Sequence, residues 1–145
     1  MKTLLFTIAL TLSSLFITAQ TEANETVVTT EGTTITVTVN LQGTAGTVLF
    51  SLHNETTFMK NPLDAKGNGI VDGKSTVTFE NVQPGTYGIV ILHDKNDNKR
   101  MDFEDNGMPM EAFGVSNNVM SFGPPQWSDA KFTVENTPIE MEIRL

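Results

Sequence analysis

Apolar and polar residues alternate strictly along Ile35-Thr36-Val37-Thr38-Val39-Asn40-Leu41. Strict alternation of β-branched residues is typical of a strand that has one face on a core and the other in water. The same pattern continues at Val48, Phe50 and Leu52, beyond the glycine-bounded turn 43–46. The chain therefore begins its folded part with two predicted strands rather than with a helix.

A second kind of strand follows the turn at Pro84-Gly85. The run Tyr87-Gly88-Ile89-Val90-Ile91-Leu92-His93 is apolar on both faces, which predicts a strand at the centre of a sheet. Tyr87, Ile89 and Ile91 are expected on one face, with Val90 and Leu92 on the other. Shorter strands are predicted around Val77 and Phe79, Phe132 and Val134, and Ile139 to Leu145.

Beyond residue 32 the chain shows no sustained helical period, and its strands are separated by Gly and Pro turns. This pattern predicts an all-β protein with a single β-sandwich. We expect residues 55–74 to form a loop with a short turn of helix. A length of 145 residues fits one domain.

The composition excludes several classes of function. The chain has no cysteine, so it forms no disulfide and no zinc–thiolate site. Its net charge of -8 argues against nucleic-acid binding, which needs a basic surface.

The first residues resemble a secretory signal peptide. Lys2 gives a basic start, an apolar run extends over residues 4–17, and Ala19 supplies a small residue for cleavage. The alternative, a membrane anchor, needs about 20 apolar residues. We therefore predict a signal peptide at 1–19, a flexible lead-in at 20–32 and a β-sandwich domain at 33–145. The protein is expected to be exported, periplasmic or extracellular, with no membrane span after cleavage.

Residues 94–127 contain no convincing strand, although structureless loops longer than about 12–15 residues are usually functional or disordered. Disordered segments are poor in large apolar residues. This segment is rich in them, so we expect one long ordered loop that packs on the sandwich. The residues concerned are Met101, Phe103, Met108, Met110, Phe113, Val115, Met120, Phe122 and Trp127.

The beginning of this loop has the oxygen spacing of a calcium-binding loop. Counted from Asp94, oxygen side chains fall at positions 1, 3, 5, 9 and 12. Position 6 is Lys99, where such loops use a glycine with positive φ. The alternative is a solvated turn in which Asp and Asn bind their own backbone. The predicted calcium ligands are Asp94, Asn96, Asn98, Asp102 and Asp105, with the backbone carbonyl of Arg100.

No set of residues resembles a catalytic centre. His53 is expected on the surface. His93, which adjoins Asp94, is expected to be structural; the alternative is that it orients the loop or joins a metal site. We therefore predict that the protein is not an enzyme and that calcium is the one cofactor to consider.

Several motifs occur in an order that resembles an uncharacterised exported bacterial family, the domain of unknown function 2141. They are His93-Asp94 with Asn96, Asn98 and Asp102, then Gly107-Met108-Pro109, the run 111–118, Phe122-Gly123-Pro124-Pro125, and the turn 82–87. The resemblance covers about residues 33–145. It implies a prealbumin-like or immunoglobulin-like β-sandwich and no established activity. This chain has Asp97 and Lys99 where the family usually has glycines.

The sequence thus predicts an exported, non-enzymatic binding or structural module, calcium-stabilised through residues 94–105. The expected partner is a protein or a glycan of the cell envelope. The alternative is an envelope enzyme with a site in the loop 94–127. A cleft-lining carboxylate with a raised pKa would favour the enzyme, whereas an apolar patch near Phe113 and Trp127 would favour binding.

Overall fold

The computed structural model describes residues 31–120 and 123–145. The predicted signal peptide 1–19 and the lead-in up to residue 30 lie outside the described residues. Across the described part, no helix is long and apolar enough to span a membrane. The elements are β1 Thr33–Asn40, β2 Thr47–His53, β3 Asp64–Asn68, β4 Lys74–Val82, β5 Gly85–Asp94, β6 Phe113–Val115, a 3-10 turn Ser116–Asn118, α1 Trp127–Ala130, β7 Phe132–Val134 and β8 Ile139–Ile143.

One sheet has three strands in the order β4-β1-β8. β1 pairs antiparallel with β4 and parallel with β8, the strand that ends the described chain. The apolar residues of β1 are buried, and its threonines lie on the opposite face. There the Thr36 and Thr78 hydroxyls lie 3.0 Å apart, as do those of Thr38 and Thr76. The alternation in the sequence therefore gives one core face and one polar face, as predicted.

The other sheet has five strands, and β5 is central in it. β2 pairs with one edge of β5 and β3 follows beyond β2. The other edge is shared, because β7 pairs with Gly85–Tyr87 and β6 with Val90–Leu92. The predicted central position of this strand is confirmed.

The main core lies between the two sheets, and the predicted faces of β5 are confirmed. Ile89 and Ile91 are fully buried there, and Tyr87 packs against the same cluster. Val90 belongs to a second, smaller core on the outer face of the five-stranded sheet. This second core consists of Phe58, Val115 and Ala130, with Val90 and Trp127 packed against them. The two packed sheets make the molecule a β-sandwich.

Two expectations about irregular segments were wrong. Residues 55–74 contain β3 rather than a turn of helix, and β3 pairs antiparallel with β2. Lys66 of β3 reaches across the edge of the sandwich. Its Nζ donates to the Thr78 carbonyl at 2.7 Å and lies 5.7 Å from the centre of the Phe79 ring. The segment 94–127 contains the short strand β6, whose backbone at Gly114 lies against β8.

Candidate functional site

The loop between β5 and β6 curls around the carboxylate of Asp94. Asp94 ends β5 and is fully buried. Its two oxygens accept the backbone N–H groups of Asn98 at 3.2 Å and Lys99 at 2.7 Å. Because these donors lie four and five residues ahead, the chain turns back immediately after the strand. The first predicted metal ligand therefore organises the turn.

Three further predicted ligands converge beside it. The side-chain amides of Asn96 and Asn98 both donate to one oxygen of Asp102, each at 2.7 Å. The amide oxygens of the same two residues accept backbone N–H groups, from Asn98 at 3.2 Å and from Arg100 at 3.0 Å. The other oxygen of Asp102 lies 3.6 Å from Nε of Arg100. These four residues and Asp94 form one polar cluster on the curled loop.

Glu111, which the sequence did not single out as a ligand, completes this cluster. Its side chain is only 6% exposed. One carboxylate oxygen accepts the N–H of Lys95 at 2.9 Å, and the other accepts the N–H of Asp102 at 3.4 Å. The available signal was its position, since Glu111 is the first acidic residue after Asp105 and stands just before β6.

Asp105 lies apart from the cluster. It sits in the turn where the Gly107 N–H donates to the Glu104 carbonyl at 2.8 Å. Among the hydrogen bonds of residues 31–120 and 123–145, none involves its side chain. The structure therefore brings together all the predicted ligand residues except Asp105, and Glu111 joins them through its hydrogen bonds to the backbone of Lys95 and Asp102.

The loop backbone has positive φ at two positions, Asp97 at 58° and Lys99 at 65°. The expectation of a positive φ at Lys99 is confirmed. These are the two positions at which the family resemblance leads one to expect glycine, because glycine alone adopts this conformation without steric cost. The loop adopts this backbone without glycine at either position and accepts some strain in doing so.

The polar cluster contains many oxygen atoms, but its acidic side chains do not come together at one point. Within the described ranges, no three Asp, Glu or His side chains lie close enough together to hold a metal ion. The donors of the loop are instead carboxylates mixed with Asn amides and backbone carbonyls. Calcium accepts such mixed oxygen sets, with six to eight ligands in a flexible geometry. The chemistry of the donor set suits calcium better than a transition metal.

The two histidines have structural partners. His93 is buried, and its Nε2 lies 2.9 Å from the carbonyl of Ala45, so it holds the connection between β1 and β2. His53 is only 3% exposed, and the expectation that it is on the surface was wrong. The cause is the segment 54–63, which folds over it.

The imidazole of His53 is held on three sides. Its Nδ1 lies 2.9 Å from the Thr57 carbonyl and its Nε2 lies 3.0 Å from the Ser51 hydroxyl. The ring meets Phe58 edge-on, with the centres 5.8 Å apart. Desolvation by burial lowers the pKa of His53 from 6.5, and the hydrogen bond to Thr57 opposes that shift. The ring is therefore neutral at pH 7.

A cleft of about 1250 Å³ lies on the outer face of the five-stranded sheet. Its floor is formed by side chains that alternate with the core residues, including Leu49, Leu92 and Phe113. One wall is the segment 59–62. The other wall is the loop between β5 and β6, residues 95–112, which we call the polar loop; its apolar side chains face the cleft. The wall residues are Met59, Lys60 and Pro62 on one side and Met101, Phe103, Met108 and Pro109 on the other.

The large apolar side chains of these walls are unusually exposed. Met59 is 53% exposed, and Phe103 and Met108 are each 60% exposed. Scattered exposed apolar residues are normal, but a concave group of them marks a binding surface. Phe113 thus lines a walled apolar cleft, whereas Trp127 packs in the second core.

Comparisons with known proteins identify a family. Residues 20–142 match the family described as "Uncharacterized protein conserved in bacteria (DUF2141)". No curated protein and no solved structure was found to match this chain. The matched segment spans the sandwich except for the last residue of β8, and it includes the polar loop and both walls of the cleft. The chain therefore belongs to the uncharacterised bacterial family DUF2141.

Proposed function

We propose that this protein is an exported, non-enzymatic binding module that takes an apolar small molecule into the cleft. The single observation that carries the proposal is the cleft itself. It combines a volume of about 1250 Å³, a floor of sheet side chains and walls of methionine, phenylalanine and proline. Ligand sites in proteins are commonly concave and mostly apolar, with a few polar groups. Its size exceeds the range of about 300–1,000 Å³ that is usual for such sites.

The polar loop gives this cleft its rigid wall. Asp97, Lys99, Met101 and Phe103 line the cleft, and the hydrogen bonds of Asp94 and Glu111 fix the backbone between and beside them. The arrangement supports a binding role, since preorganised walls lower the entropic cost of binding. It supports catalysis less, because the polar groups of the loop are engaged with one another.

Calcium would stabilise the same wall. Its ligands would be Asp94, Asn96, Asn98, Asp102, the Arg100 carbonyl and, in place of Asp105, Glu111. Binding requires the amides of Asn96 and Asn98 to present oxygen rather than nitrogen towards Asp102. This costs their two hydrogen bonds of 2.7 Å to Asp102 and the two bonds that their oxygens accept from backbone N–H groups, at 3.2 and 3.0 Å. We therefore propose weak binding, with a Kd on the order of 10⁻⁴ to 10⁻³ M, as in extracellular modules.

Export is part of the proposal. It is supported by Lys2, the apolar run 4–17 and Ala19, which together have the order of a cleaved signal. An exported protein in a calcium-containing medium is also the setting in which a weak calcium loop is occupied. Determining the intact mass of the protein recovered from outside the cytoplasm tests this part. Retention of residues 4–17 contradicts it.

The binding proposal is tested with a neutral apolar dye, N-phenyl-1-naphthylamine, whose fluorescence rises in apolar surroundings. We expect saturable binding by the purified protein. Ala65 is exposed and lines the cleft, so Ala65→Trp should fill it and remove most of the signal. Thr76→Trp is the matched control, because Thr76 is exposed on the other sheet. Absence of saturable binding, or equal loss in both variants, refutes the proposal.

A further inference from the structure

We infer that the ligand of this cleft is a single-chain amphiphile, with an unbranched hydrocarbon body and one carboxylate head group. The inference rests on the proposed binding function of the cleft. It adds the chemical class of the ligand, which neither the family nor the fold supplies. Two properties of the cleft support the inference. The backbone groups at the centre of its floor are already paired within the sheet, and its mouth carries exposed charges.

The floor offers a ligand almost no backbone hydrogen bonds. Its centre is the interior of the sheet, where β5 is paired on both edges and β2 is paired with β5 and β3, and the edge strands β3 and β6 lie at its sides. A peptide lying on such a floor would leave its own N–H and carbonyl groups without partners, at a cost of a few kcal/mol each. A glycan would do the same with its hydroxyls. A hydrocarbon chain carries no such groups.

The walls suit a flexible chain. Met59, Met101 and Met108 line the cleft, and the unbranched thioether side chain of methionine adapts to irregular apolar shapes. Pro62 and Pro109 lie in the two walls, and proline has no backbone N–H to leave unsatisfied. Phe103 adds a large apolar surface that is 60% exposed without a ligand.

The mouth of the cleft carries positive charge on a protein of net charge -8. Lys60 and Lys99 stand on opposite walls and are both exposed. Of the two acids that line the cleft, Asp94 is fully buried with both oxygens bonded, so Asp97 is the exposed one.

The ammonium groups of Lys60 and Lys99 are available to a ligand. Lys60 has one long hydrogen bond, 3.3 Å to the Thr56 carbonyl. Lys66 also lines the cleft, but its Nζ is held on the core side by the Thr78 carbonyl at 2.7 Å. Two exposed cations against one exposed acid favour a head group with a single negative charge.

Displacement of the bound dye tests the inference on the same protein. Dodecanoate, dodecanol and dodecyltrimethylammonium share one chain length and differ in head-group charge, and each is used below its micelle concentration. We expect dodecanoate to bind about three- to thirty-fold more tightly than dodecanol, the effect of two exposed ion pairs. Dodecyltrimethylammonium should bind most weakly. Added salt should reduce the differences in affinity between the three amphiphiles, because it screens the charges of the lysines and head groups.

The lysines are tested with a double variant, Lys60→Gln with Lys99→Gln. It should keep dye and dodecanol binding while losing the preference for dodecanoate. Lys95→Gln is the control, because Lys95 is an exposed lysine of the same loop that does not line the cleft. Dye binding without a preference for dodecanoate overturns the inference and leaves the proposed function standing. A preference that survives in the double variant also overturns it. Failure of the dye to bind overturns both.

Discussion

The backbone N–H of Lys95 donates to the carboxylate of Glu111 over 2.9 Å, although sixteen residues separate the two. This bond joins the first residue of the polar loop to the residue that leads into β6. The second oxygen of the same carboxylate accepts the N–H of Asp102 at 3.4 Å. A single buried acid therefore ties the beginning, the middle and the end of the loop together. The loop should consequently lose its shape as a unit when Glu111 is removed.

Substituting Glu111 by alanine should lower the free energy of unfolding by about 1–3 kcal/mol. The reason is that truncation leaves two part-buried backbone donors without their acceptors. Urea unfolding measures the change. Asp105→Ala is the control, since an exposed side chain without such contacts contributes within about 0.5 kcal/mol. Equal losses of unfolding free energy in the two variants would contradict the conclusion that Glu111 holds the polar loop together.

Ile91 and Leu92 are neighbours on β5 that face opposite sides of the sheet. Ile91 is fully buried in the main core, whereas Leu92 is partly buried and lines the cleft. Ile91→Ala should therefore cost about 2–5 kcal/mol, the usual range for a buried large aliphatic residue. Leu92→Ala should cost less than Ile91→Ala, and it should also weaken dye binding. Chemical denaturation of both variants checks this, and a larger loss at Leu92 would contradict the assigned faces.

The strands that the sequence predicted are those whose own hydrophobic pattern shows which residues are buried. β1 and β2 show strict alternation, because each alternate residue packs between the sheets. β5 is apolar on both faces, because one face packs in the main core and Val90, on the other face, packs in the second core. β3 was missed because the residues that face the core side are Asp64, Lys66 and Asn68, which no hydrophobic pattern marks. The Lys66 ammonium donates there to the Thr78 carbonyl of a strand in the other sheet.

The part of the polar loop that the sequence predicted is likewise the part formed by residues close together in the chain. Asp94, Asn96, Asn98 and Asp102 lie within one turn of chain, so spacing alone brings them together. Glu111 joins them only because β6 returns to the edge of β5, and β6 is three residues long with a glycine at its centre. That glycine is required by a distant strand. A Cβ at Gly114 would lie 2.1 Å from the Arg144 carbonyl oxygen.

His53 should make stability depend on pH on the acidic side of neutrality. Burial lowers its pKa from 6.5, so below about pH 6.5 the unfolded chain binds more protons than the folded chain. The stability present above pH 6.5 should be lost progressively as the pH falls through 6.5 towards the lower folded value. His53→Gln removes this contribution.

Thermal melting of the wild type and of His53→Gln between pH 5 and pH 8 measures the effect. We expect the difference in stability between the two proteins to shrink as the pH falls. His93→Gln should retain the contribution of His53. If the difference in stability stays constant over this range, the pKa of His53 does not differ between the folded and unfolded chains, and the prediction is wrong.

Calcium should raise the melting temperature of the wild type by a few degrees. At a concentration ten times the Kd, binding to the folded state alone adds about 1.4 kcal/mol, which corresponds to such a shift for a domain of this size. Glu111→Gln should lose the shift, and Asp105→Asn should keep it. Magnesium is the control ion, because it needs a stricter octahedral geometry. If calcium produces no shift at several millimolar, the loop is a solvated turn that binds its own backbone.

Lys99→Gly should stabilise the protein even without calcium. Lys99 has φ of 65°, a conformation that costs a side-chain-bearing residue about 1–2 kcal/mol and costs glycine little. Glycine loses more entropy on folding, by roughly 0.5–1 kcal/mol, so the expected net gain is about 0.5–1 kcal/mol.

The same substitution at Lys95, whose φ is not positive, should instead lower stability by about 0.4–1 kcal/mol. With calcium the gain from Lys99→Gly should increase, because the variant also removes a positive charge beside Asp94 and Asp102. Thermal melting of both glycine variants, with and without calcium, measures these changes. Destabilisation by Lys99→Gly would show that the lysine side chain supports the loop by contacts that outweigh the strain of its backbone.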